Sequence, residues 1–369
     1  MHTTTSAYAR SRSTGTLALA LAAGLGLSAC SLGSTDDASS DSGATVDSAT
    51  SEVVVVSHDS FTVPEDLLTQ FTEETGYEAT ILGSGDGGEM TNQIILTKGS
   101  PLGDAVFGID NTFASRAVDE GVLAAYASPD LPDGAADDQL SGTGADLLTP
   151  IDFGDVCVNI DDVWFAEEGI KPPSSLEDLT DPMYEGLFVT PGANTSSPGL
   201  AFMLATVGNF GEDGWLDYWS DLMANDARVT SGWSDAYSVD FTAGGGNGDR
   251  PIVVSYASSP PFTIPEGETE PTTSALLDTC FRQVEYAGVL EGANNPEGAQ
   301  AFIDFLLSEP MQAALPETMY VYPVDDAVEL PQAWAEFADV AAEPIVVDPA
   351  QIDANRETWV REWADIATQ

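Results

Sequence analysis

The chain has 369 residues and a formal charge of −51, with Lys+Arg 10 against Asp+Glu 61. So acidic a surface repels nucleic-acid phosphates and anionic lipid headgroups, so neither is expected as an electrostatic partner, whereas cations gather around it. The same charge also suits solubility in salt.

In chain order, the start is not expected to belong to the fold. Arg10 and Arg12 precede an apolar run from Thr16 to Leu27 that is too short to span a bilayer as a stable helix. Leu27-Ser28-Ala29-Cys30 then resembles a bacterial lipobox. That resemblance implies a signal peptide over 1–29, cleavage before Cys30 and a diacylglyceryl group on its sulfur. The alternative is an ordinary signal peptide that ends near a cysteine. Residues 30–51 are Ser, Asp, Thr, Gly and Ala with almost no large apolar side chain, the composition of a disordered tether. An extracytoplasmic, membrane-anchored soluble domain is expected beyond it.

Val53–Val56 reads as a buried parallel strand, ending in Ser57-His58-Asp59-Ser60. Pro64 opens a helix with Leu67, Leu68 and Phe71 on one face, stopped by Gly76. Tyr77–Leu82 is a second strand. The turn from Gly83 to Gly88 opens a helix carrying Met90, Ile94 and Ile95. Asp104–Gly108 is a third strand with Asp110 just past its end, and a further helix runs to Gly121. This β-α-β-α-β-α order predicts an α/β sheet, whose ligands gather at the carboxyl ends of the strands. His58, Asp59, Asp86 and Asp110 are predicted to lie there.

Two later stretches read as pocket walls. Thr230–Tyr237 and Val253–Phe262 are short β-branched or apolar leads that break into small hydroxyls beside Trp233, Tyr237, Tyr256 and Phe262. Small residues let backbone N–H groups approach, and flat rings supply stacking faces. A turn with packed aromatics is the structural alternative. Cys157 and Cys280 remain as a pair in an exported chain, where a disulfide is expected; two free buried thiols are the other reading. Trp359, Val360 and Trp363, on a final helix from Pro349, read as core packing.

The segments Pro172–Gly186 and Asn295–Ser308, the latter with Met311-Gln312, resemble the extracellular solute-binding proteins of ABC importers. Six ordered segments narrow this to the thiamine-binding branch. They are Asp59-Ser60-Phe61, Phe107–Asn111, Thr195–Leu200, Gly232–Tyr237, Ser255–Pro260 and Tyr322-Pro323-Val324. The resemblance covers nearly everything from Val53 onward. It implies a two-lobed, type II periplasmic-binding-protein-like fold, with two α/β lobes joined by crossover strands. Lobe one would span 52–152 with much of 283–369, and lobe two 153–282.

The resemblance also implies a monomer that captures thiamine and its phosphates for an ABC permease, without cofactor, metal or catalysis. Carried over by motif, ligand contacts fall on Asp86, Gly87, Ser196, Ser197, Trp233, Tyr256, Ala257, Ser258 and Ser259. Ser196 and Ser197 precede a helix, so simple N-capping is their alternative role. The ring positions depart from the family: His58 and Phe262 stand where it has Tyr, and Tyr320 where it has Trp. Stacking survives these changes while hydrogen bonding alters, so a thiamine-precursor pyrimidine is a second ligand to weigh. A thiaminase-like transferase with Cys157 as nucleophile is the enzymatic alternative. An adhesive or structural lipoprotein without a small ligand is the third.

Overall fold

The computed structural model describes residues 51–367. The predicted signal segment, Cys30 and all of the tether but Ser51 lie outside them. β1 (Glu52–Ser57), β2 (Glu78–Gly83) and β3 (Ala105–Asp110) are parallel in the order β2-β1-β3. α1 (Glu65–Thr75) and α2 (Gly87–Leu96) form the crossovers, and α3 (Ala114–Asp119) and the short β4 (Leu123–Ala124) follow. The predicted alternation is the one observed. Asp110 is the last residue of β3 rather than the first beyond it. The chain passes an irregularity between Phe107 and Ile109, where Gly108 adopts φ +97°.

β5 (Thr149–Asp161) then leads into the second lobe. This contains α4 (Asp162–Glu168), β6 (Phe188–Pro191), α5 (Ser197–Phe210), α6 (Trp215–Ala224), β7 (Arg228–Thr230) and β8 (Ile252–Tyr256). The long β9 (Thr273–Leu290) returns beside β5, and the two run antiparallel through the middle of one sheet ordered β2-β1-β3-β9-β5-β8-β6-β7. They are the crossover strands. Cys157 on β5 and Cys280 on β9 form a disulfide across a sequence separation of 123. A loop of that length favours the folded state by about 5 kcal/mol through lost chain entropy.

The remaining elements are α7 (Pro296–Leu306), α8 (Glu309–Met319), β10 (Tyr322–Pro323), α9 (Gln332–Phe337) and α10 (Pro349–Ala367). α7 packs on the first lobe so closely that a Cβ on Gly298 would lie 2.3 Å from Val53 Cγ2. Its Phe302 meets Phe71 edge-on. α10 packs on the second lobe, where Trp363 stands edge-on to Trp219 of α6 with ring centres 5.6 Å apart. Trp359 and Trp363 are buried, as expected, and Val360 packs against the same core. No described helix is long and apolar enough to cross a membrane.

Candidate functional site

The carboxyl ends of β1, β2, β6, β7 and β8 converge on the cleft between the lobes. A narrow cavity opens there, walled by His58, Asp86, Gly87, Ser197, Trp233 and Tyr256 together with Ser60, Pro198, Gln283, Glu285, Met319 and Val321. A second hollow of about 500 Å³ adjoins it and shares Ser60 and Asp86; Asp59 and Asp235 also line it.

Asp86 is the bridge between the lobes. It N-caps α2, where Oδ1 accepts the Gly87 N–H at 2.7 Å. The same oxygen accepts the Ser197 N–H at 3.1 Å, and Oδ2 accepts the Trp233 N–H at 2.9 Å. Both of those donors belong to the second lobe, and the first stands at the positive end of α5. The Glu89 N–H donates to the Thr195 carbonyl at 3.0 Å across the same seam. Gly87 permits the approach: a Cβ on it would lie 2.1 Å from Ser197 Oγ. These contacts describe a closed cleft.

The aromatic wall is held from behind. Trp233 stacks on Tyr237, with centroids 5.1 Å apart and planes 13° from parallel. Its indole N–H donates to Ser255 Oγ at 2.9 Å. Ser255 Oγ lies 2.8 Å from Ser259 Oγ, which also accepts the Tyr256 N–H at 3.2 Å. Tyr256 lies flat over β5 because Gly154 has no side chain; a Cβ there would sit 2.8 Å from the tyrosine ring.

The floor is acidic. Asp152 on β5 is directly opposite Glu285 on β9, so the two side chains share a face, and both are buried. Burial pushes Asp152 up to about 8. Burial, reinforced by Asp152, holds Glu285 well above the usual carboxylate range. Two such groups cannot both ionise, so the pair retains one proton. His58 Nε2 stands 3.5 Å from Glu285 Oε1, in a space left open by Gly108.

The pair ties stability to pH. A carboxyl raised from 3.8 to about 8 binds its proton more tightly in the folded state. Its stabilising effect is complete below pH ~4 and is lost as pH rises through ~8. The thermal midpoint is expected to fall between pH 5 and pH 8 by more in the native protein than in Asp152→Asn. Equal slopes in the two proteins would show that the pair does not carry the effect.

The other predicted residues stand behind or beside these walls. Ser196 Oγ caps α5 by accepting the Gly199 N–H at 3.4 Å. Ala257 donates its N–H to the Asp155 carbonyl, and the Ser258 hydroxyl donates to the Tyr320 carbonyl. Asp110 is fully buried and accepts from the Thr112 N–H and hydroxyl; burial raises its pKa. Asp59 accepts the Gly85 N–H at 3.1 Å beside the second hollow. Phe262 and Tyr320 stack on one another with centroids 3.4 Å apart and do not line the cavity; Tyr320 supports Trp233 from behind at 5.5 Å. Gln283, Glu285 and Asp152 were not singled out from the sequence. Their signal is a pair of polar residues two apart in a strand otherwise bound for the core. Among the described residues, no three His, Cys, Asp or Glu are grouped to hold a metal ion.

A sequence model described as bacterial extracellular solute-binding protein matches residues 101–340. The chain is similar to the thiamine-binding periplasmic protein of Escherichia coli (strain K12), 27% identical over 79% of this chain and 85% of the relative. It is similar to the protein of the same name from Brucella suis biovar 1 (strain 1330), 28% identical over 79% of this chain and 84% of that one. Among solved structures it resembles a periplasmic thiamin binding protein at 26% identity with a TM-score of 0.73, covering 86% of this chain and 96% of that chain. The fold is the type II, two-lobed arrangement expected from the sequence.

Proposed function

The chain belongs to the bacterial extracellular solute-binding proteins, and from that membership we propose that it captures thiamine between its lobes and hands it to an ABC permease. The observation that carries this reading is the chemistry of the cleft. Trp233 and Tyr256 supply flat faces, the Asp86 carboxylate supplies negative charge, and no Lys or Arg is among the described residues that line it. Thiamine joins a flat aminopyrimidine to a permanently cationic thiazolium. That charge cannot be shed by deprotonation, so the site must meet it with ring faces and carboxylates. The chain binds and does not catalyse. Cys157, the nucleophile of the transferase alternative, is buried in a disulfide with Cys280, and the thiolate such an attack requires is not available.

Thiamine phosphates are proposed as weaker ligands than thiamine. The amide at the start of α5, where a phosphate would be expected, already donates to Asp86. Lobe one is assigned 52–152 with much of the C-terminal region, lobe two 153–282, and β5 and β9 act as the hinge. Cys30 carries the lipid that keeps the protein at the membrane; the mass of the mature N-terminus tests this. Phe262 does not line the cavity, so its missing hydroxyl is no argument for a different ligand.

Calorimetry of the mature protein with thiamine decides the reading, and no heat and no thermal shift at millimolar ligand would overturn it. Trp233→Ala is expected to weaken thiamine binding by roughly 2 kcal/mol or more, as loss of a desolvated aromatic anchor does. An unchanged Kd would make Trp233 a core residue with no part in binding.

A further inference from the structure

Arg10 and Arg12 belong to the signal segment, so eight of the ten Lys and Arg residues serve the mature chain. Three of those eight, Arg116, Arg356 and Arg361, line a single hollow of about 710 Å³ on the flank of the molecule, apart from the cleft. Arg116 lies on α3. Arg356 and Arg361 lie on α10, where Arg356, Val360 and Ala364 recur at helical spacing and all line the hollow. Asn92 of α2 and Asn194, just before α5, complete the rim, so both lobes contribute.

Of the other five, Lys98, Arg228, Arg250 and Arg282 each reach a carboxylate within 4 Å, and Lys171 does not. Among the described residues, none of the three flank arginines does, although the chain has 61 Asp and Glu. Arg116 donates to the Asn92 side-chain carbonyl. Arg356 is only 7% exposed, and its Nε has no hydrogen-bond partner. Its guanidinium stands 5.3 Å from the Phe113 ring centre. Burial, and after it the neighbouring Arg116, disfavour its charged form, and the weaker opposing pull of Glu357, Asp110 and Asp353 does not make up for them. Glu357, the one carboxylate among the lining residues, is exposed and forms no ion pair with them.

A buried guanidinium beside a second one is costly unless an anion meets both. The planar fork of arginine fits the oxygens of phosphate or carboxylate two at a time. We propose that this hollow is a binding site for a small multivalent oxyanion, held by Arg116, Arg356 and Arg361 at the seam between the lobes. The site is separate from the cleft and does not depend on what the cleft binds.

The test is calorimetry of the whole mature protein titrated with inorganic phosphate in chloride buffer at constant ionic strength, with citrate in a parallel arm. A saturable one-to-one heat is expected. Arg361→Ala, at an exposed position, is expected to unfold at the same temperature in chloride and to lose about tenfold in phosphate affinity. Arg356→Gln is expected to unfold at a higher temperature in chloride, because an unpaired buried charge is gone, and to lose the phosphate response. Heat from citrate alone would keep the site and assign it to carboxylates. Silence with both anions, or equal affinity in native protein and Arg361→Ala, overturns the proposal.

Discussion

Asp86→Ala is expected to weaken thiamine binding on the order of a hundredfold. The native carboxylate accepts two N–H groups from the opposite lobe, those of Ser197 and Trp233. A hydrogen bond to a charged group contributes about 1.5–3 kcal/mol net, so losing two removes roughly 3 kcal/mol of closure energy. The same substitution also strips the N-cap of α2, at about 1 kcal/mol in the open and closed forms alike. Asp86→Ser separates the two effects. A serine hydroxyl restores the cap to Gly87 but offers one short oxygen in place of two, so stability is expected to recover while affinity does not. Thiamine affinity in Asp86→Ala within a few-fold of native would show that the carboxylate is a local cap alone.

Asp86 also marks how far the sequence could be read. The β-α order of the first lobe was legible because apolar residues there keep strict local periods, as at Leu67, Leu68 and Phe71. That Asp86 opens a helix beyond a strand end was legible too, from the glycines around it. That its two oxygens take amides from Ser197 and Trp233 was not, because those partners lie more than a hundred residues away in the sequence.

The acidic floor escaped for a related reason. Glu285 and Asp152 gain their meaning from register across β5 and β9, which no local pattern fixes. Trp233 and Tyr256, singled out because rings flanked by Gly and Ser are out of place in a core strand, both wall the cavity. Local composition does not separate a hydroxyl facing a ligand from one holding a ring. Ser259 is the second kind: it fixes Ser255 and the Tyr256 amide, and through Ser255 it fixes Trp233. Phe262 and Tyr320 are flat, as ring contacts must be, yet they spend their faces on each other.

Gly88→Ala turns the closed geometry into a second large effect, with opposite signs in the two states of the protein. A methyl at this position would lie 2.9 Å from both the carbonyl carbon and the oxygen of Thr195, which belongs to the second lobe. The oxygen is backbone and also accepts the Glu89 N–H, so it cannot turn aside as a side chain would. Overpacking of this kind costs about 1–3 kcal/mol, which is roughly ten- to a hundredfold in affinity. The same methyl would also lie 3.1 Å from the tip of the Phe113 ring, a tight contact within the first lobe that does not depend on Thr195. That crowding offsets part of the about 0.5–1 kcal/mol by which alanine in place of glycine favours a helix. The free protein is therefore expected to unfold at an equal or slightly higher temperature while thiamine binds more weakly. The loss should appear as faster release, because encounter with the open cleft does not bring Gly88 near Thr195. Native affinity in this variant would mean that ligand is held without closure of this seam, and a slower association rate with unchanged release would place the obstruction in the open state.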